Sequence, residues 1–159
     1  MGLIHFARHG QVLDNALHFL DVLVSLAERH GLRLAQPAHA FASHAGWEVT
    51  RRRPGLTARR TRFVEIGPVT AIRADAFDAL LPFPDLQMGW GLDAHWGALA
   101  AQRRWKVGVI DATPVRHTRP VAVSYPRDAA MAEADRFLED RPYVTREQAG
   151  ETLAEHRAF

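Results

Sequence analysis

The pattern of apolar and polar positions predicts a strand, a helix and a second strand in the first quarter of the chain. "LIHFA", residues 3–7, is an apolar run that predicts a buried strand or its stub. From Asp14 to His30 the apolar residues recur at the spacing of one helical stripe, and Gly31 is placed to end that helix. "LRLA", residues 32–35, alternates and predicts the next strand. Such a unit is the smallest signature of an α/β sheet.

The middle of the chain begins with an arginine-rich segment. "TRRRPGLTARRTR", residues 50–62, holds six arginines around a Pro-Gly turn and predicts a hairpin or an exposed loop. We favour the solvated edge of a hairpin over a binding site for a diphosphate or an anionic acceptor. "FVEIG", residues 63–67, predicts a strand, and "RADAFDALL", residues 73–81, predicts a short helix.

The second half predicts four further elements. A glycine-rich loop leads into a helix that begins near Asp93, and "KVGVIDA", residues 106–112, is its clearest buried strand. The tail has a helical pattern from Asp128 to Asp140 and again from Thr145 to the end, where Thr145-x-x-Gln148 matches a capping box.

Composition restricts the class of protein. A chain of 159 residues with 47% hydrophobic and 24% charged residues predicts one soluble globular domain, residues 1–159. The formal charge of +2 and an arginine cluster without interleaved aromatic residues do not favour nucleic acid as a partner. The absence of cysteine excludes disulfides and thiolate metal sites.

Localisation follows from the most apolar window, residues 11–27. Asp14, His18 and Asp21 interrupt it, so it is too short and too polar to span a bilayer. We find no signal peptide before it and no transmembrane segment, and we therefore expect a cytoplasmic protein.

"FARHGQVLDN" near the start raises a first chemical hypothesis. Arg8-His9-Gly10 resembles the opening of phosphohistidine enzymes of the phosphoglycerate-mutase type, which would make His9 a nucleophile. Such chemistry needs a second histidine, and the nearest candidate, His44, follows a proline-containing segment instead of a smooth buried strand. A strand end and a turn before a helix explain the stretch better, so a histidine phosphatase is the third of three hypotheses.

"MGWGLDAHW" is the most specific stretch of the chain. Gly89 and Gly91 allow a tight bend or the close approach of a ligand, and Trp90 offers a flat apolar face for a sugar ring. Asp93 can accept a proton from an attacking hydroxyl, which is the work of a general base. The alternative interpretation is that Trp90 and Trp96 belong to the core and that Asp93 only caps the helix.

This loop resembles the GWG-x-acid element of GT-A glycosyltransferases, and residues 31–145 look like the acceptor-side, carboxy-terminal half of bacterial family-2-like members. The resemblance implies an α/β fold with a partial GT-A, Rossmann-like mixed sheet flanked by helices. It implies transfer of a sugar from a nucleotide-sugar donor to a hydroxyl acceptor, with Asp93 as the catalytic base. It also implies a set of substrate-binding residues: Trp90, Gly89, Gly91 and Trp96.

A metal ligand is also implied by the resemblance. His117 follows the strand in "DATPVRH", where GT-A enzymes often place a histidine on the divalent cation that the donor diphosphate binds. The cofactor would be Mn²⁺ or Mg²⁺, which neutralises the departing diphosphate. Taken without the resemblance, a lone histidine is more often structural.

The amino-terminal part of the chain departs from the family pattern. It carries "HFARHGQVLD" where the family has its nucleotide-binding half, and no Asp-x-Asp occurs in the sequence. A truncated gene, a partner that supplies the missing half, and a non-catalytic sugar-binding or interaction remnant all stay open. A missing half would leave "LIHFA" as an unprotected sheet edge, so we expect a homo-oligomer.

Overall fold

The computed structural model describes residues 3–6, 16–120 and 126–157. The described strands are β1 Leu3–Phe6, β2 Leu32–His39, β3 Leu56–Thr61, β4 Val69–Ile72, β5 Lys106–Val115 and β6 Thr152–Arg157. The described helices are α1 Ala16–Arg29, α2 Phe77–Leu80, α3 Leu92–Gln102, α4 Arg127–Leu138 and α5 Arg146–Ala149. Short 3-10 turns lie at Glu48–Thr50 and Ala74–Ala76.

The strands form one mixed sheet in the order β1-β4-β2-β5-β3-β6. β2 and β5 are parallel, and the other neighbouring pairs are antiparallel. β4 lies between β1 and β2, so the strand–helix–strand unit at the start of the chain encloses a strand that comes later in sequence. The predicted α/β fold with a mixed sheet flanked by helices is confirmed.

Helices cover both faces of this sheet, because successive strand residues point to opposite sides. On one face α1 packs on β2 and β5, with Leu23 and Ala27 against an apolar cluster that includes Ile110. On the other face Leu34 and Val107 lie beneath α2, α3 and α4. The residues of this second cluster are Leu34, Val64, Ile72, Ala76, Leu80, Leu92, Trp96, Ala100, Val107 and Phe137.

Most of the predicted elements are present. α1 ends at Arg29, and Gly31 in the turn that follows has a φ of +65° and donates its N–H to the Glu28 carbonyl at 3.0 Å. The predicted helices at 73–81, near Asp93 and from Asp128 are also present as the 3-10 turn with α2, as α3 and as α4. The stretch Arg8-His9-Gly10 and the predicted start of the first helix at Asp14 lie outside the described residues.

The arginine-rich segment is not the solvated hairpin edge that the charge pattern favoured. Its second part is β3, which lies between β5 and β6 in the sheet. Arg59 is fully buried, because the Asp111 carboxylate of β5 compensates its charge. A buried arginine is stable only with such a partner.

Two predicted elements were wrong. "FVEIG" does not form a strand, because a side chain takes the N–H of Glu65: the Oε1 atom of Gln36 accepts that hydrogen bond. The helix predicted from Thr145 to the end is only α5, which begins with the expected Thr145–Gln148 capping box. After α5 the chain forms β6, because β3 offers it a free edge for antiparallel pairing.

β2 is longer than predicted and passes through Pro37, where the sequence predicts a break in the buried strand. Proline lacks the N–H that a central strand donates. In this sheet β4 pairs with Leu34 and Ala35 alone, so no ladder bond on that side is lost at Pro37. The strand therefore continues, buried, to His39.

Candidate active site

The parallel strands β2 and β5 end side by side, and their carboxyl ends bring together several polar side chains. His39 is the last residue of β2 and pairs with Val115 at the end of β5. His117 follows two residues later, and the two imidazole rings lie 6.3 Å apart. The carboxyl ends of parallel strands are where α/β proteins usually bind ligands.

Both ring nitrogens of His39 are engaged although the residue is only 2% exposed. Its Nε2 atom lies 3.3 Å from Oε2 of Glu65, and its Nδ1 atom lies 3.2 Å from Oγ of Ser43. A carboxylate can only accept, so Nε2 carries the proton and donates to Glu65. In the neutral ring, Nδ1 then accepts from the Ser43 hydroxyl.

The chain of hydrogen bonds continues to His117. Its backbone N–H donates to Oγ of Ser43 at 2.7 Å. All the bonds therefore run in one direction, from the His117 amide through Ser43 and His39 to the Glu65 carboxylate. This series of aligned hydrogen bonds connects the 41–46 loop, the end of β5 and the segment before β4.

The His117 imidazole has a defined tautomer. Its Nδ1 atom lies 3.0 Å from the carbonyl oxygen of His44, which can only accept, so Nδ1 carries the proton. The backbone N–H of His44 in turn donates to the carbonyl of His117 at 3.0 Å. Among the described residues Nε2 of His117 has no hydrogen-bond partner, and its lone pair is left for a ligand.

Glu65 is held at the centre of this group. Gln36, which is fully buried, accepts the backbone N–H of Glu65. Gly46 lies against the carboxylate: a Cβ at that position would be 3.2 Å from Oε1 of Glu65. The Glu65 side chain keeps 22% exposure, so its carboxylate still borders solvent.

Asp93 lies in the first turn of α3, as predicted. It is not the N-cap, since that position belongs to Gly91, and its Oδ1 atom accepts the N–H of Ala94 at 2.8 Å. Burial raises the pKa of the Asp93 carboxyl to about 7, and the negative charge of Glu65 acts in the same direction. A carboxyl with such a pKa can accept a proton near neutral pH.

The glycine loop before α3 is fixed by α4. The Glu133 carboxylate accepts the backbone N–H groups of Gln87 at 2.7 Å and Met88 at 2.9 Å, and these bonds hold the pKa of Glu133 below its usual range. Gly91 has a φ of +86°, and a Cβ there would meet Leu138 at 3.2 Å. Backbone conformation and packing against α4 thus account for glycine at position 91.

The residues predicted to bind substrate differ in how accessible they are to a ligand. Gly89 has a φ of +71°, with open space where a Cβ would be, and Trp90 is partly buried. Trp96 is 3% exposed and packs beside Phe83, with ring centroids 5.7 Å apart. Trp96 is therefore a core residue with no open ring face for a sugar, as the alternative interpretation had it.

Sequence reasoning missed part of the group. Gln36, His39, Ser43 and Glu65 were not among the candidate residues. A signal was present, because "LRLAQPAH" places a glutamine and a histidine inside a buried strand, where unpaired polar groups are costly. Such residues indicate a hydrogen-bond network even before its partners are known.

The comparisons with known proteins leave the family open. No family model, no curated protein and no solved structure matches the chain. Among the described residues no helix is long and apolar enough to cross a membrane.

Proposed function

We propose that this protein is a glycosyltransferase of the GT-A type that transfers a sugar from a nucleotide-sugar donor to a hydroxyl acceptor. The observation that supports the proposal best is the environment of Asp93. Its carboxyl has a pKa near neutrality, raised mainly by burial and in part by the charge of Glu65. Glu65 is the partner of His39, whose ring centroid lies 6.3 Å from that of His117.

In the proposed reaction Asp93 acts on the acceptor. Its ionised carboxylate accepts the proton of the acceptor hydroxyl while the oxygen forms a bond to the anomeric carbon of the donor sugar. The bond between that carbon and the diphosphate oxygen breaks, and the nucleoside diphosphate leaves with the bonding electrons. Glu65 disfavours a second negative charge at Asp93 and so strengthens it as a base.

Mn²⁺ or Mg²⁺ is the cofactor of this proposal. The His117 tautomer fits a metal ligand, because a ligating histidine commonly donates its other N–H to a backbone carbonyl. No group of three histidine or acidic side chains among the described residues is placed to hold a metal by itself. His117 would be one ligand and the donor diphosphate would supply others, and a cation held there would neutralise charge on that diphosphate.

A non-catalytic sugar-binding protein is the second candidate. The observation that favours it is the absence of Asp-x-Asp from the sequence, since this motif normally holds the metal in the family that the chain resembles. The two candidates share the acceptor side and differ in donor binding.

Calorimetric titration with UDP and GDP, each with and without Mn²⁺, distinguishes them. The proposal expects metal-dependent binding that is lost in His117→Ala and kept in His18→Ala, a matched change at an exposed histidine. Binding of neither nucleotide would favour the non-catalytic candidate. Binding that His117→Ala leaves unchanged would overturn the metal assignment.

A further inference from the structure

His117 is held by two consecutive residues of the 41–46 loop. Oγ of Ser43 accepts the backbone N–H of His117 at 2.7 Å. The carbonyl of His44 accepts from Nδ1 of His117, and the N–H of His44 donates to the His117 carbonyl, each at 3.0 Å. These three bonds fix both the backbone and the ring of His117, and they leave Nε2 on the opposite edge of the ring.

The backbone of Ser43 is fixed in its turn. Its N–H donates to the Ala40 carbonyl at 3.0 Å, and its carbonyl accepts from Nη1 of Arg51 at 3.3 Å. The N–H of Ala40 donates to the carbonyl of Val115, the last residue of β5, at 2.8 Å. Ser43 and His117 are therefore both anchored to the end of the same strand.

Two residues behind Ser43 set the direction of its hydroxyl. The Glu65 carboxylate accepts from Nε2 of His39, so Nδ1 of His39 accepts the hydroxyl proton of Ser43. The Ser43 oxygen then has its lone pairs left for the His117 N–H. Ser43 is 7% exposed and His39 is 2% exposed, so water competes little with these bonds.

A hydroxyl, an imidazole and a carboxylate in this order are also the groups of a serine nucleophile with its base. Two observations favour positioning over attack on a substrate. The Ser43 oxygen already accepts the His117 N–H, and the side chain is almost fully buried.

We infer that Ser43, fixed by His39 and Glu65, is a positioning residue that holds the His117 imidazole as its Nδ1–H tautomer, with Nε2 offered to a divalent cation. The inference deepens the proposed function and rests on it, because in that function His117 binds the cation. Partners that orient a ligating histidine commonly raise its affinity for the metal, and a ring that is already fixed loses less entropy on binding.

The first test is NMR of the chain labelled with ¹⁵N at histidine, at mildly alkaline pH and without metal or nucleotide, since the ¹⁵N shifts of an imidazole report its tautomer. We expect the Nδ1–H form at His117 and the Nε2–H form at His39. Ser43→Ala should leave His117 in a mixture of tautomers, and Ser43→Thr, which keeps the hydroxyl, should restore the single form. Ser25→Ala, at an exposed position of α1, is the control and should change neither ring.

Glu65→Gln tests the other end of the series of bonds with a side chain of equal size, and it keeps the inference testable where Ser43→Ala does not fold. A carboxamide donates as well as accepts, so His39 should lose its single tautomer and His117 should follow. A single Nδ1–H form at His117 in both Ser43→Ala and Glu65→Gln would overturn the inference. Covalent labelling of Ser43 by a fluorophosphonate would overturn it as well, because Ser43 would then be a nucleophile.

The second test uses Mn²⁺ alone. Paramagnetic broadening of the His117 resonances should need about tenfold more Mn²⁺ in Ser43→Ala than in the parent chain. An equal requirement would contradict the positioning role, and no broadening in the parent chain would remove the ligand role on which the inference rests. The tautomer measurements use neither metal nor nucleotide, so failure of the positioning role is distinct from failure of donor binding in calorimetry.

Discussion

Arg59 and Asp111 form a two-bonded ion pair across β3 and β5 in which neither side chain has any exposed area. Nε of Arg59 donates to Oδ2 of Asp111 at 2.8 Å, and Nη2 donates to Oδ1 at 3.1 Å. The same guanidinium donates to the carbonyls of Val49 at 2.8 Å and Arg51 at 2.7 Å. One side chain therefore joins the centre of the sheet to the 49–51 segment.

Removing one partner of this pair should be severe. Arg59→Met leaves the Asp111 carboxylate buried without its counter-ion, and we expect it to lower the free energy of unfolding by about 3–5 kcal/mol. Urea denaturation measures the change. The exposed Arg52→Met should stay within about 0.5 kcal/mol of the parent chain. Equal stability of the two variants would contradict a structural role for the pair.

Gly108 of β5 is required by the close approach of β3. A Cβ at this position would lie 2.3 Å from the Arg59 carbonyl oxygen and 3.0 Å from Cδ1 of Leu32. Gly108→Ala should therefore destabilise the fold by about 1–3 kcal/mol, the usual cost of overpacking. Thermal unfolding measures it, with Ala112→Ser at an exposed position of the same strand as the control. An unchanged melting temperature in Gly108→Ala would show that the strands separate at little cost.

Asp93 should make stability depend on pH. Its pKa is 3.8 in the unfolded chain and about 7 in the fold, so the unfolded state ionises first. The loss of folding stability caused by the raised pKa of Asp93 is absent below pH 3.8 and grows as pH rises to about 7. Asp93→Asn should thus gain roughly 1–3 kcal/mol of stability relative to the parent at pH 8, because each pKa unit is worth about 1.4 kcal/mol before solvent screening. It should gain almost nothing near pH 4.

The same substitution separates catalysis from stability. With a working assay, Asp93→Asn should lower kcat by about 10²–10⁴-fold while the chain becomes more stable at pH 8. In such an assay the parent chain should lose kcat/KM as pH falls below about 7, since the proposed base is then protonated. Full activity in Asp93→Asn would sink the base assignment.

His30 is a second pH-sensitive group, and its ring stacks on that of His156 with the centroids 3.8 Å apart. Partial burial lowers the pKa of His30 from 6.5, and the nearby charges of His156, Arg29 and Lys106 add to the effect. The unfolded chain therefore binds a proton more readily, and stability should fall as pH drops through 6.5. His30→Gln should reduce this fall between pH 7 and 5 in denaturation curves, whereas His18→Gln should not.

β1 lies at an edge of the described sheet, and the homo-oligomer expected from such an edge can be tested directly. β1 pairs with β4 alone in the described sheet. An open edge favours association through backbone hydrogen bonds. Light scattering should report a mass of at least twice 17.8 kDa. A clean monomer would count against the expectation.

Local pattern predicted most helices and strands, because one apolar stripe or one alternating run identifies each of them. It did not predict the burial of Arg59, because the compensating carboxylate of Asp111 lies 52 residues away in sequence. β6 was missed for a similar reason: its partner β3 is needed to make a strand of a segment that has helical propensity.

The candidate site was predicted in part. Asp93 and His117 were proposed by resemblance. Glu65 reaches His39 because Gln36 of β2 accepts its backbone N–H, and His117 reaches Ser43 because β5 pairs in parallel with β2. The hydrogen bond from His117 to Ser43 spans 74 residues. No short-range spacing encodes such a contact, so the network becomes visible only with the sheet.

The strand order has a kinetic consequence. In the described sheet no two neighbouring strands are consecutive in the chain, so no hairpin can form early and guide the rest. The bond between the Thr57 hydroxyl and the His156 carbonyl, for instance, closes a loop of 99 residues. Closing such loops costs conformational entropy, and this cost must be met before the strand pairings can stabilise the fold. This topology therefore favours slow folding, in which α1 forms first and the whole sheet assembles in one late, cooperative step.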